Sequence, residues 1–244
     1  MPAALDNVLI VVPAFNEEAS VGDVVTEIRL ALPGAAVLVI DDGSADATAE
    51  QARAAGALVA RLPFNLGVGG AMRTGFRYGL EHGFRAVVQV DADGQHDPIA
   101  VPELLAGLRD ADIVLGARFA GKGDYEVRGP RAWAMKLFAR ILSRTARAAL
   151  TDTTSGFRAW GPLGIALCAE HYPAEYLGDT IEILVIASRA GLRIKQVPVA
   201  MRRRTAGVPS HNAVKSAIYL GRAAMALMIA YLRPRSEFIV RETA

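Results

Sequence analysis

A chain of 244 residues, 52% hydrophobic and 21% charged, is long enough for one large α/β domain with a proper core and too apolar to be disordered. Its single cysteine, Cys168, excludes an intrachain disulfide, suits a reducing compartment and reads as a small buried apolar residue. The net charge of +2 conceals an asymmetry, because residues 1–117 carry 7 basic against 16 acidic side chains and residues 118–244 carry 20 against 9.

In chain order, the apolar run from Val8 to Phe15 is too short for a secretory signal and reads as a first strand over Val8–Val12. Ala36–Ile40, Ala57–Leu62, Ala86–Val90 and Asp112–Gly116 are similar, short and rich in Val or Ile, as parallel strands covered on both faces are. Amphipathic helices are expected between them at Glu17–Leu32, Ala45–Ala55, Val68–His82 and Ile99–Leu108. This alternation predicts an open, mostly parallel sheet flanked by helices, a Rossmann-like nucleotide-binding half. Ligands of such sheets bind beyond the carboxyl ends of the strands, where Asn16 and Glu17, Asp41 and Asp42, and Asp91 and Asp93 fall.

After Gly116 the pattern changes. A basic helix is expected from about Arg131 to Leu150, then a Thr154-Ser155-Gly156-Phe157-Arg158 segment, a helix near Asp179–Ala190 and a strand near Arg193–Val199. Loops of this kind on a rigid sheet are where a second substrate is expected. A last helix, about Asn212–Leu232, holds an apolar run from Ala223 to Leu232, half the roughly 20 residues that span a bilayer. It suits the membrane interface, a small membrane partner protein, or packing on the core.

Asp91 and Asp93, at a spacing of two, present hard oxygen ligands for Mg²⁺ or Mn²⁺ on one side of an extended segment, and Gln95 repeats the spacing. Such a cation would screen a leaving group whose charge grows, as the diphosphate of a nucleotide-sugar does. Asp42, in the turn Asp41-Asp42-Gly43-Ser44, is a candidate to accept hydrogen bonds from a nucleobase, with helix capping the alternative. Asn65, Gly67, Gly69 and Gly70 open the third helix and allow close approach to a ligand. Met72 at the third-glycine position excludes the dinucleotide fingerprint. His96 reads as a neighbour of the metal site or a solvent-facing residue rather than a ligand, and Trp133 and Trp160 read as packing. From Arg189 through Arg235 there are ten basic residues and no acid, suited to an anionic ligand or membrane surface. Interleaved aromatic platforms are absent there, which argues against nucleic acid.

Val12-Pro13-Ala14-Phe15-Asn16-Glu17-Glu18, Asp41-Asp42-Gly43-Ser44, Asn65-Leu66-Gly67 and Asp91-Ala92-Asp93-Gly94-Gln95-His96 occur in order. Together they resemble glycosyltransferase family 2, and with Thr154–Arg158 its dolichyl- or polyprenyl-phosphate sugar synthase branch, over about Val8–Ser210. The resemblance implies a GT-A fold over residues 1–210, with a donor-binding half to about 117 and an acceptor-binding half to 210, followed by a C-terminal amphipathic helix and tail over 211–244. It implies inverting transfer from a UDP- or GDP-sugar to a polyprenyl phosphate. Pro13, Asn16, Glu17 and Asp42 would hold the nucleoside, with Asn65 and Gly67 beside it. Asp91, Asp93 and Gln95 would hold the metal, and Arg118 would approach the phosphates. Arg131, Arg204 and Ser210 would meet the acceptor phosphate, although Val208 and Pro209 depart from the family spacing there.

A phosphate acceptor is already ionised near neutral pH and needs no general base, whereas a hydroxyl acceptor would need one, with Asp179 or Glu182 the candidates. Glu182 otherwise orients an acceptor-side arginine or pairs with Arg189. The expected setting is the cytoplasmic face of a membrane, held peripherally. Two alternatives stay open: a family-2 enzyme acting on a soluble or glycan hydroxyl, and a non-catalytic membrane-associated nucleotide-binding subunit. Oligomeric state is left open.

Overall fold

A computed structural model describes residues 5–117, 140–146, 148–173 and 179–202. Its first half alternates as the hydrophobic pattern requires: β1 (Val8–Ala14), α1 (Val21–Ala31), β2 (Ala36–Asp41), α2 (Thr48–Ala54), β3 (Leu58–Arg61), α3 (Gly67–Glu81), β4 (Ala86–Gln89), a 3₁₀ turn (Pro98–Ala100) running into α4 (Val101–Gly107), and β5 (Ile113–Ala117). There follow β6 (Arg158–Trp160), α5 (Pro162–His171), α6 (Asp179–Arg189) and β7 (Ile194–Pro198). Residues 140–146, within the basic helix predicted over 131–150, are helical.

The seven strands form one sheet in the order β3-β2-β1-β4-β6-β5-β7. All pairings are parallel except those of β6, which runs antiparallel to both β4 and β5. Alternate residues of β1 serve two cores. Leu9 and Val11 face α3 and α5, while Ile10 and Val12 face α1 and α4, so both faces are dry and the strand reads as a continuous apolar run. The exception to the expected double coverage is β3, whose edge position leaves Leu58 half exposed.

Helix α3 lies close on the sheet because glycines face it. A Cβ on Gly75 would stand 2.6 Å from Val11 Cγ1, and one on Gly79 would stand 2.9 Å from Val87 Cγ2. Two elements were not predicted. At three residues β6 is too short to show a period, and α5 is apolar nearly all round, burying Ile165, Leu167, Cys168 and Ala169, so it lacks the amphipathic stripe that marks a surface helix. Trp160 and Cys168 are core residues, as expected; Trp160 meets Phe76 edge-on at 4.8 Å. Burial pushes the Cys168 thiol pKa well up, against a small lowering by Arg158.

Candidate active site

The carboxyl ends of β1, β2 and β4 are adjacent, and the loops leaving them are tied together by backbone and side-chain bonds. Asn16 follows β1 in a left-handed conformation, φ 55°. Its N–H donates to Ser44 Oγ at 2.9 Å, and its Oδ1 accepts from Ala45 N at 2.9 Å. The Glu17 N–H donates to Thr48 Oγ1 at 2.8 Å, and the Ser20 hydroxyl donates to Glu17 Oε2 at 2.9 Å. The β1 and β2 loops therefore form one unit, with the Glu17 and Phe15 side chains on its cleft side.

At the end of β2, Asp41 and Asp42 are buried, 0% and 3% exposed. Asp41 Oδ1 accepts from Ser44 N at 2.9 Å, and Oδ2 lies 3.2 Å from Arg61 Nε. Asp42 accepts from Leu66 N through Oδ1 and from Gly67 N through Oδ2, at 2.7 and 2.8 Å. Burial raises its carboxyl pKa above the ordinary value, opposed by those two N–H bonds and aided by Asp41. Asp42 thus caps the start of α3. Gly67 completes the junction with φ 82°, a conformation that side-chain-bearing residues rarely adopt. The Asn65 Oδ1 also accepts from Gly67 N, at 3.1 Å. The glycines of this turn serve its geometry and packing: a Cβ on Gly70 would stand 2.5 Å from Leu66 Cβ.

The end of β4 differs. Asp91 and Asp93 lie on the wall of a cleft of about 310 Å³ also lined by Pro13, Phe15, Glu17, Val68, Gln89, Ala92, Thr154, Gly156 and Thr180. Asp93 Oδ1 accepts from Gln95 N at 3.1 Å, closing the Asp-Gly turn. Gln95 contributes backbone to this loop, its carbonyl accepting from Arg202 N at 3.0 Å, and is not among the cleft-lining residues. His96 is buried against the rear of Asp91, so of the two expected positions it takes the one beside the acidic pair rather than the solvent-facing one. Gly156 matters for space, since a Cβ there would stand 2.9 Å from Gln89 Nε2 and 3.2 Å from Asp91 Oδ2.

The rest of the lining comes from the second half of the chain. Antiparallel β6 inserts between β4 and β5 and carries Thr154 and Gly156 at its entry, while α6 brings Thr180. Glu182, two residues along α6, is partly buried and does not line the cleft. Arg118, Arg131, Arg204, Ser210 and the C-terminal helix lie outside the described residues, as do Trp133 and His211. Among the described residues, three basic side chains of the acid-free stretch are paired with acids of the first half: Arg193 with Asp112, Lys195 with Asp110, and Arg202 with Glu27 and Asp97. Part of the charge asymmetry therefore holds the two halves together. Sequence reasoning missed Gln89 and Thr180. Gln89 was visible as the one polar residue in the run Ala86–Val90, whereas nothing local marks Thr180.

Among the described residues no three His, Cys, Asp or Glu side chains form a cage for a metal. Two carboxylates on one cleft wall nonetheless fit Mg²⁺ or Mn²⁺, because such an ion is commonly held by one or two carboxylates with substrate phosphates and water supplying the rest.

Residues 9–160 match the glycosyl transferase family 2 domain. The chain belongs to that family. Over 211 residues it is 35% identical to the undecaprenyl-phosphate mannosyltransferase of Micrococcus luteus, covering 82% of this chain and 85% of that one. Over 201 residues it is 31% identical to the dolichyl-phosphate hexose transferase of Haloferax volcanii, covering 82% and 84%. These relatives match the polyprenyl-phosphate sugar synthase branch of the family. Among solved structures it superposes on the glucosyl-3-phosphoglycerate synthase of Mycobacterium tuberculosis, crystallised with Mg²⁺ and UDP, with a TM-score of 0.69 at 24% identity, over 93% of this chain and 80% of that one. The family-2 fold is thus GT-A, and the protein is a glycosyltransferase.

Proposed function

We propose that this family-2 glycosyltransferase moves a hexosyl group, with inversion, from a UDP- or GDP-sugar to the phosphate of a polyprenyl phosphate at a membrane surface. The observation that carries the reading is the cleft itself. Asp91 and Asp93 line it together with Thr154, Gly156 and Thr180, while Pro13 at the end of β1 and Phe15 and Glu17 of the following loop close its donor side. The relatives from Micrococcus luteus and Haloferax volcanii, an undecaprenyl-phosphate mannosyltransferase and a dolichyl-phosphate hexose transferase, support the choice of acceptor.

In this reading the β1 loop, with Pro13, Asn16 and Glu17, takes the nucleoside, and Asp42 shapes the wall behind it by holding Leu66 and Gly67. Asp91 and Asp93 would hold Mg²⁺ or Mn²⁺ against the diphosphate; the bound ion supplies screening of the charge that develops on the leaving oxygen. The β4 and β6 ends fix the two substrates in one narrow space and exclude water from the anomeric carbon. A phosphate oxygen of the acceptor forms the new bond to that carbon. The bond to the diphosphate breaks, and the nucleoside diphosphate leaves with the electron pair. A phosphate monoester has its second pKa near about 6, so no side chain need remove a proton. That agrees with Glu182 lying away from the cleft lining. Arg118, Arg131, Arg204 and Ser210 are assigned to the phosphates by family position. Among the described residues no helix is long and apolar enough to cross a membrane, and peripheral association through residues 211–244 completes the proposal.

The test uses purified full-length protein with a polyprenyl phosphate, MnCl₂ and a panel of UDP- and GDP-sugars. A glycosyl phospholipid with one donor is the expected product. Transfer to a soluble glycan without lipid phosphate, or no transfer with any donor, would overturn the reading.

A further inference from the structure

Asp91 is gripped by two buried side chains to which the chemistry above gives no role. Gln89, the last residue of β4 and 4% exposed, donates from Nε2 to Asp91 Oδ1 at 2.9 Å. His96, 3% exposed, accepts the Asp91 backbone N–H on Nδ1 at 3.0 Å, and its Nε2 stands 3.5 Å from Asp91 Oδ2. An imidazole nitrogen that accepts an N–H carries no proton, so the ring proton lies on Nε2, on the side of the carboxylate. The ring cannot turn away easily: it stacks on Phe157 with centroids 4.8 Å apart and planes 18° apart, and the His96 backbone bridges to Met201.

The Gln89 amide is fixed in the same way. Turning it would set its oxygen against an acceptor oxygen of Asp91, so Nε2 faces Asp91 and Oε1 points elsewhere. That Oε1 is buried without a hydrogen-bond partner. An apolar residue of similar size would bury as well without leaving an orphaned acceptor. The fold therefore keeps an unfavourable group at this position, and the single side-chain hydrogen bond it makes among the described residues is to Asp91.

We propose that Gln89 and His96 are positioning residues that aim the Asp91 carboxylate at the metal and diphosphate, an inference that rests on the reading of the cleft given above. Asp91 Oδ1 meets the Gln89 donor, Oδ2 has His96 Nε2 standing 3.5 Å away, and each oxygen keeps a lone pair for the cation. Partners of this kind, one step behind a ligand, set its orientation and basicity, and losing one commonly weakens metal affinity by about 10- to 100-fold.

Gln89→Met removes the amide at nearly constant volume. His96→Asn keeps a polar group at the Nδ1 position and removes Nε2, while His96→Gln does the reverse. Wild type and the three full-length variants are titrated with UDP and with GDP by calorimetry over a series of MnCl₂ concentrations, and melting temperature is measured without metal. In Gln89→Met and His96→Asn the Mn²⁺ concentration for half-maximal nucleotide binding should rise at least about tenfold. The melting temperature of Gln89→Met should stay level or rise, and His96→Gln should lie closer to wild type. An unchanged Mn²⁺ requirement with a lowered melting temperature would overturn the inference, because it would make both side chains packing residues only. Wild type that binds neither nucleotide in a Mn²⁺-dependent way would overturn the underlying reading of the cleft instead.

Discussion

Asp41 and Asp42 end β2, Asp91 and Asp93 follow β4, and the two pairs stand on neighbouring sides of β1 in one sheet. The first pair is buried and accepts hydrogen bonds from Ser44, Leu66 and Gly67, so its charge is used to hold two loops. The second pair lines the cleft, and the Asp91 side chain is 37% exposed. Identical chemistry thus builds the frame at one strand end and lines the cleft at the next. What separates them is their surroundings: the β3–α3 loop folds over Asp42, whereas Gly156, with no side chain, stands against Asp91.

That contrast can be broken experimentally. The largest effect is expected at the open pair, where Asp93→Ala or Asp91→Asn should lower glycosyl transfer by about 10³-fold with little change in melting temperature. Turnover near wild type would overturn the proposed metal site at this pair. At the closed pair the loss should appear in stability. Asp42→Ala strands the Leu66 N–H, leaves the Gly67 N–H only its longer bond to Asn65 Oδ1, and should cost about 1–3 kcal/mol in urea unfolding. A fully stable Asp42→Ala protein that has lost nucleotide binding would erase the distinction between the pairs.

Gly156→Ala tests the space that keeps Asp91 open. A Cβ 3.2 Å from Asp91 Oδ2 must displace the carboxylate or Gln89, and transfer should fall about tenfold while the fold survives, measured as kcat/KM beside circular dichroism. The smallest effect concerns the joint between the halves. Asp112 accepts from Arg193 N at 2.8 Å and from its Nε at 3.2 Å, binding β5 to β7. Burial works to raise the Asp112 carboxyl, but hydrogen bonds and charge from Arg193 outweigh it and leave the pKa below the ordinary 3.8. The contribution is therefore complete above that value and is lost as pH falls through the lower folded pKa. Asp112→Asn should cost at most about 1 kcal/mol at pH 7, because Arg193 is largely exposed, and the difference from wild type should vanish in strong acid.

The two halves of the chain were unequally legible. In the first, each strand is a short apolar run and each helix repeats on one face, so the predicted elements fall within a few residues of those observed. The shifts have local causes: Asn16 in its left-handed conformation and the turn from Glu17 to Ser20 delay α1 to Val21. In the second half, β6 and α5 left no periodic signal, because one is three residues long and the other is buried on nearly every side. The cleft was half legible for the same reason. Asp91 and Asp93 were readable as a pair, whereas Gln89 and Thr180 join them through sheet register and helix placement, which no local window contains.

By itself, then, the sequence determined the parallel first half, the converging acidic strand ends and the family, since these depend on local hydrophobic period and on motifs with fixed spacing. Only the tertiary structure decided which acids line the cleft and which hold loops. That depends on β6 entering antiparallel between β4 and β5 and bringing Gly156 against Asp91, a contact between residues far apart in the chain whose geometry is set by the packing of the whole sheet.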